Sequence, residues 1–187
     1  DRADAMKRVV IDFFNIYPVK LDIVWPKDGT RLNGTVEVRI YSNLAPENVT
    51  NVSIRIDDGP WVDITSNFDY SRHEYYYEWN TTDYSDGMHT IVVRMYVDSN
   101  LTVESTVYVL VDNIPSEILV VDDERHSYET FYIDALTNLG FTLHDQFEVW
   151  NACLCTPMLG GFDIVIWLTG NSTNPISQDE MRAIISY

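Results

Sequence analysis

Cysteine is nearly absent. Only Cys153 and Cys155 occur in 187 residues, which excludes a disulfide-stapled miniprotein and leaves stability to packing. Basic residues are also scarce, 12 Lys plus Arg against 29 Asp plus Glu, for a formal net charge of −17. A surface of that sign repels phosphate backbones and anionic lipid, so nucleic acid and membrane surfaces are poor partners. No apolar run approaches the roughly 18 residues of a membrane helix, and Asp1-Arg2-Ala3-Asp4 has no hydrophobic signal region. No membrane insertion is expected from this chain, and an export signal or anchor is expected outside it. The acidity fits solubility, cation binding, or a saline or acidic habitat.

Asparagine-based acceptor motifs are abundant. Six N-x-S/T sequons begin at Asn33, Asn48, Asn51, Asn80, Asn100 and Asn171, where 13 Asn and 27 Ser plus Thr would give about two by chance. Any one of them is also an ordinary turn or strand-edge Asn. Together they point to a glycosylated, extracellular or cell-surface protein.

The pattern of the chain changes twice. Residues 1–17 read as a helix, with Ala5, Met6, Val9, Val10 and Phe13 at helical spacing and Pro18 blocking continuation; it is expected to close a preceding domain. Residues 18–114 alternate with period two, as in Thr35-Val-Glu-Val-Arg-Ile-Tyr41 and Asn51-Val-Ser-Ile-Arg-Ile56, with turns at Asp57-Asp58-Gly59 and Asp86-Gly87. About seven short strands in this length predict an immunoglobulin-like sandwich. Pro26-Lys-Asp-Gly29, Leu32 to Val36, Ile56-Asp-Asp-Gly-Pro-Trp61, Trp79-Asn-Thr-Thr82, Asp86 to Ile91 and Val111-Asp-Asn113 resemble the bacterial and archaeal Ig-like modules of secreted and surface proteins. That resemblance implies a spacing, orienting or adhesive role and no catalysis.

Residues 115–187 read as α/β. Ile118 to Val121 is an apolar run suited to a strand buried on both faces. Ser127 to Leu139 reads as an amphipathic helix with Gly140 as its C-terminal cap, a second strand follows Phe141 or Glu148, and Phe162 to Leu168 is a third. Ser177-Gln-Asp-Glu180 opens a further helix with a capping box, and the chain stops inside it. The expected fold is therefore an all-β immunoglobulin-like sandwich joined to an incomplete α/β (flavodoxin-like) parallel-sheet unit. The stretch Ile118 to Glu124, read alone, resembles the first strand of a response-regulator receiver. A receiver requires a phosphoacceptor Asp at the end of a later strand, and Phe162 to Gly170 ends in Leu168 and Thr169, which argues against phosphorelay. With Tyr128 to Tyr132, Ala135-Leu136, Gly140-Phe141, Val149-Trp150, Pro157 and Phe162 to Gly170, this part resembles the start of the glutamine-amidotransferase-like, flavodoxin-like domains attached to secreted peptidases.

Candidate chemistry is sparse. Asp122, Asp123 and Glu124 lie at the carboxyl end of a parallel strand, where open sheets bind ligands, and Thr169 and Asn171 follow the next such strand. These residues either hold a cation or ligand, or serve as helix caps and solvated loop positions. Tyr75, Tyr76, Tyr77 and Trp79 form a dense aromatic set, suited to stacking on sugars or to cross-strand pairing. Asp98, Asp112 and Asn113 near the junction are candidate Ca²⁺ ligands; no other cofactor is expected. Cys153-Leu154-Cys155 offers two ligands where a metal site needs about four, and no adjacent base.

These readings converge on a non-catalytic structural, adhesion or spacer module of a larger exported protein. One alternative is an accessory region of a secreted peptidase or amidotransferase-like enzyme with its catalytic residues elsewhere, and another is a carbohydrate-binding module. Partners are expected among the parent's other domains or a surface protein or glycan, with self-association through an exposed sheet edge.

Overall fold

The structure, a computed structural model, describes residues 18–97, 102–123, 128–152, 154–169 and 176–187. The expected N-terminal helix, Asp98, Asn100, Glu124, Cys153 and Asn171 lie outside these residues.

Nine strands build two antiparallel-dominated sheets. They are β1 (Leu21–Trp25), β2 (Arg31–Leu32), β3 (Thr35–Ser42), β4 (Asn51–Ile56), β5 (Val62–Asp63), β6 (Phe68–Asp69), β7 (Glu74–Asn80), β8 (Gly87–Tyr96) and β9 (Thr102–Val111). One sheet has the order β1-β3-β7-β6 and the other β2-β9-β8-β4-β5. Alternation does most of the work. In β8 every second residue from Gly87 to Met95 is buried, because successive side chains of a strand point to opposite faces. Val38, Ile40, Val52, Ile54, Ile91, Val93, Val109 and Val111 fill the space between the sheets around Tyr75 and Trp79. The two shortest elements beyond the expected seven, β2 and β6, have only two residues each, too few for a periodic signal.

A third sheet is small and parallel. It consists of β10 (Ile118–Asp122), β11 (Phe147–Asn151) and β12 (Ile164–Leu168) in the order β11-β10-β12, with Val120 opposite Val149 on one side and Ile166 on the other. Helix α1 (Glu129–Asn138) precedes β11, and α2 (Gln178–Ser186) follows β12. Helix α1 ends where Gly140, at φ +94°, lets its N–H reach the Thr137 carbonyl and the Phe141 N–H reach that of Leu136, a Schellman stop that a side chain would strain. Helix α2 begins with the expected capping box, Ser177 accepting from the Glu180 N–H and Glu180 from the Ser177 N–H.

Strand β10 is buried on both faces, and the two faces meet different neighbours. Ile118 and Val120 pack with Leu136 of α1, Phe147 and Leu168. Leu119 and Val121 pack with Trp150, Ala152, Leu159, Phe162 and, from the sandwich, Leu110. Met88, Tyr108 and Ala183 of α2 join that second cluster. The outer surface of the β8–β9 sheet thus covers much of the face that helices alone cover in doubly wound folds.

Candidate functional site

The carboxyl edge of the parallel sheet carries Asp122, Asp123 and Thr169, as the sequence predicts. Asp123 is committed to structure. Its Oδ2 accepts from the Trp167 indole N–H at 3.2 Å, and burial raises its pKa, with the Trp167 bond opposing and neighbouring Glu180 adding to the rise. Glu180 is itself buried and fastened to Ser177. Asp122 is half-buried and Thr169 exposed.

The aromatic face requires correction. Tyr75 and Trp79 are 0% and 1% exposed and lie in the sandwich core; Tyr76 and Tyr77 are half-buried. Trp79 meets Tyr84 edge-on at 5.3 Å, and Tyr75 meets Phe68 at 4.8 Å, so Tyr75 and Trp79 pair with other rings of the sandwich and offer no stacking platform. The sequence held the signal. Glu74 and Glu78 share the face of Tyr76, which directs Tyr75, Tyr77 and Trp79 to the other, inward side.

Among the sequons, Asn33, Asn48 and Asn80 are exposed. Asn80 caps a short turn, its Oδ1 accepting from the Thr82 N–H and hydroxyl. Asn51 is half-buried with its amide bonded to Thr65 and Ser53. Cys155 is half-buried; burial pushes its thiol up to about 12, and Asp28 adds to the shift. Such a thiol is a poor nucleophile and a poor metal ligand at neutral pH.

The most organised polar constellation lies where the sandwich meets the parallel sheet. Arg31 of β2 spans it. Its Nε and Nη2 pair with Asp112 Oδ2, Nη2 also donates to the Ser116 carbonyl at 2.9 Å and Nη1 to that of Gly161 at 2.7 Å, and the guanidinium lies 4.3 Å above the Phe162 ring. One planar cation thereby ties β2, the connection after β9 and the loop before β12, a use that the guanidinium fork suits and an ammonium does not. The backbones also touch directly. Met158 N–H donates to the Gly29 carbonyl at 3.0 Å, and Gly29 N–H to Tyr108 at 2.8 Å.

Beside Arg31 stand three carboxylates. Asp86 precedes β8, Asp112 follows β9 and Glu148 lies in β11; one oxygen of each falls within 4.8 Å of the others. Asp86 accepts from the backbone N–H of Asn113 and Ile114 and from the Asn113 side chain. Glu148 is 0% exposed, and His144 bonds its Oε2 at 2.8 Å. Burial pushes Glu148 up to about 7, His144 pulling it down while Asp112 and Asp86 push it further up. Burial likewise raises Asp112, against the pull of Arg31 and the Ser116 N–H.

The sequence placed Asp112 and Asn113 at the junction but gave them different company. The Asn113 side chain is spent on Gly34, Thr81 and Asp86, so it is a positioning group for Asp86 in place of the expected ligand. Asp86, in the turn before β8, and Glu148, in β11, lie 62 residues apart in sequence with no shared motif to link them. Among the described residues no helix is long and apolar enough to cross a membrane.

No curated protein matches this chain. Among solved structures, the endo-beta-1,4-mannanase from Thermotoga petrophila is similar over 52% of this chain, at 22% identity and a TM-score of 0.45, and the chain spans 20% of that protein. Residues 20–93 match the family model of a bacterial Ig domain, and since that range runs from β1 into β8, the sandwich is an Ig-like module.

Proposed function

We propose that this chain is a non-catalytic spacer or adhesion module of a larger exported, glycosylated protein, in which an Ig-like sandwich holds an α/β unit at a fixed orientation. The observation that carries this reading is the shared packing of Leu110, Met88 and Tyr108 against Leu119, Val121 and Trp150, reinforced by the Arg31 bridge. A flexible tether has no use for a joint of this kind; relative motion is the default where interfaces are small and polar. The bacterial Ig match supports a structural role at or beyond the cell surface, and the exposed Asn33, Asn48 and Asn80 support glycosylation there.

The test is ¹⁵N relaxation on the whole chain. A single rotational correlation time for β1–β9 and β10–β12 is expected; two clearly different values would refute the rigid spacer. Peptide mapping of protein from its native source tests export separately, because bare asparagines at all six sequons would count against a glycosylated surface protein.

A second reading has its own support. The parallel order β11-β10-β12 puts the first strand of the unit at its centre, as in doubly wound folds of flavodoxin type. On this reading the chain is the accessory region of a secreted peptidase or amidotransferase-like enzyme whose catalytic residues lie in other parts of the parent. Sequencing the parent gene decides it: a nucleophile elbow or metal-protease motif is expected, and a parent without either removes the reading.

A further inference from the structure

We propose that Asp86, Asp112 and Glu148 form a divalent-cation site of Ca²⁺ type at the junction, with ligands drawn from both the sandwich and the parallel sheet. The spacing comes first. Ligand oxygens around one Ca²⁺ lie about 2.3–2.6 Å from it, so two of them are at most about 5 Å apart; the three carboxylates offer oxygens all within 4.8 Å of one another.

Two buried oxygens then stand without partners of their own. Glu148 is 0% exposed, His144 holds one of its oxygens, and the other, Oε1, has no hydrogen-bond partner among the described residues. Ser116 is 2% exposed, its N–H bonds the Asp112 carboxylate, and its hydroxyl oxygen is likewise without a partner among the described residues. Buried oxygens left unpaired are costly, and natural folds satisfy them with protein, water or ions.

Charge gives the third argument. Three carboxylates face one guanidinium, Arg31, which is engaged at Asp112 Oδ2, so the carboxylates, once ionised, exceed the fixed positive charge at the junction by two. A divalent cation cancels that excess where a monovalent one does not. An all-oxygen set favours Ca²⁺, Mg²⁺ or Mn²⁺ over the softer metals that prefer thiolate or imidazole. The backbone is already organised for the role, since Asn113 and Ile114 N–H groups fix Asp86 and the Ser116 N–H fixes Asp112. Occupancy would join the two units through a second bridge beside Arg31. The site stands apart from the spacer reading, because binding is measured without reference to how the units tumble.

The experiment uses the whole chain, stripped with chelator and titrated with Ca²⁺ by calorimetry at about pH 8, where ordinary carboxyls are ionised. One saturable equivalent is expected. Glu148→Gln and Asp86→Asn should each weaken binding by roughly tenfold or more, as loss of a charged ligand does, while Asp179→Asn on the exposed face of α2 leaves it unchanged. Substoichiometric Mn²⁺ provides a check that needs no variant: selective broadening of the Gly87, Asn113, Ser116 and Val149 amide signals is expected. Absence of saturable binding up to about 10 mM, well above the range of extracellular Ca²⁺ modules, would overturn the proposal. So would broadening confined to other acidic residues, or binding indifferent to both junction variants.

Discussion

Replacing Gly29 with alanine should separate the joint from the rest of the fold, and Gly34 supplies the control. Both glycines have positive φ, +77° and +65°. An alanine in that region costs about 1–2 kcal/mol, partly offset by about 0.4–1 kcal/mol from the stiffer unfolded chain. For Gly34→Ala that is the whole account, because no atom of the described residues beyond its chain neighbours lies within 4 Å of the new methyl, and a net loss of about 1 kcal/mol follows. At Gly29 the methyl would sit 2.4 Å from the Thr156 carbonyl oxygen and 2.9 Å from both Met158 N and Pro157 Cα. These are backbone atoms, which no rotamer change can move away. Residues 156–158 must withdraw, breaking the Met158 to Gly29 hydrogen bond, worth about 1 kcal/mol, and loosening Leu159 and Phe162 in the shared cluster. The total loss for Gly29→Ala should reach about 3 kcal/mol or more. Urea unfolding followed by far-UV circular dichroism and by tryptophan fluorescence gives both the magnitude and the cooperativity. Wild type and Gly34→Ala should unfold in one transition; Gly29→Ala should show an early loss of β10–β12 signal. Equal stability of the two variants, within about 0.5 kcal/mol, would refute the claim that backbone contact at residue 29 holds the units together.

Other outcomes follow from single contacts. Leu110→Ala, which empties a 2% exposed position in that cluster, should cost about 2–4 kcal/mol in urea without altering the sandwich core seen by NMR. Arg72 bonds Glu37 at 2.7 Å and Asp69 at 2.6 Å. Its hydrogen bond is the main cause holding Glu37 below its usual range, whereas Asp69 is held down first by Ser71 and then by Arg72. Depressed carboxylates stabilise the fold above their unfolded values and lose that contribution as pH falls through the folded ones. Thermal melts should therefore show a small deficit for Arg72→Ala at neutral pH that closes below about pH 4. With its thiol pushed up to about 12, Cys155 should resist iodoacetamide at about pH 8 in native protein and react in denaturant, as read by peptide mass; rapid native alkylation would contradict its burial.

Local order was largely legible in the sequence. Period-two runs gave β1, β3, β4, β7, β8 and β9 because a half-buried strand must alternate. The unbroken run Ile118 to Val121 announced a strand covered on both faces, and the Ser177 and Gly140 signals marked a helix start and a helix stop, because capping depends on residues close in sequence. What covers β10 was not legible, whereas the inward turn of Tyr75 and Trp79 was written in their alternation with Glu74, Tyr76 and Glu78. The polar junction was hidden most completely. Arg31, Asp86 and Glu148 each look like ordinary solvated residues of a strongly acidic chain, and Asp112, expected as a cation ligand, was paired in the sequence reading with Asp98 and Asn113 instead. Their desolvation, their mutual field and the unpaired oxygen of Glu148 arise only when the sandwich sheet of β2, β9 and β8 is packed against β11. Hydrogen bonding within a turn or along a strand is written locally, whereas desolvation and charge coupling depend on distance in space, which only the tertiary structure sets.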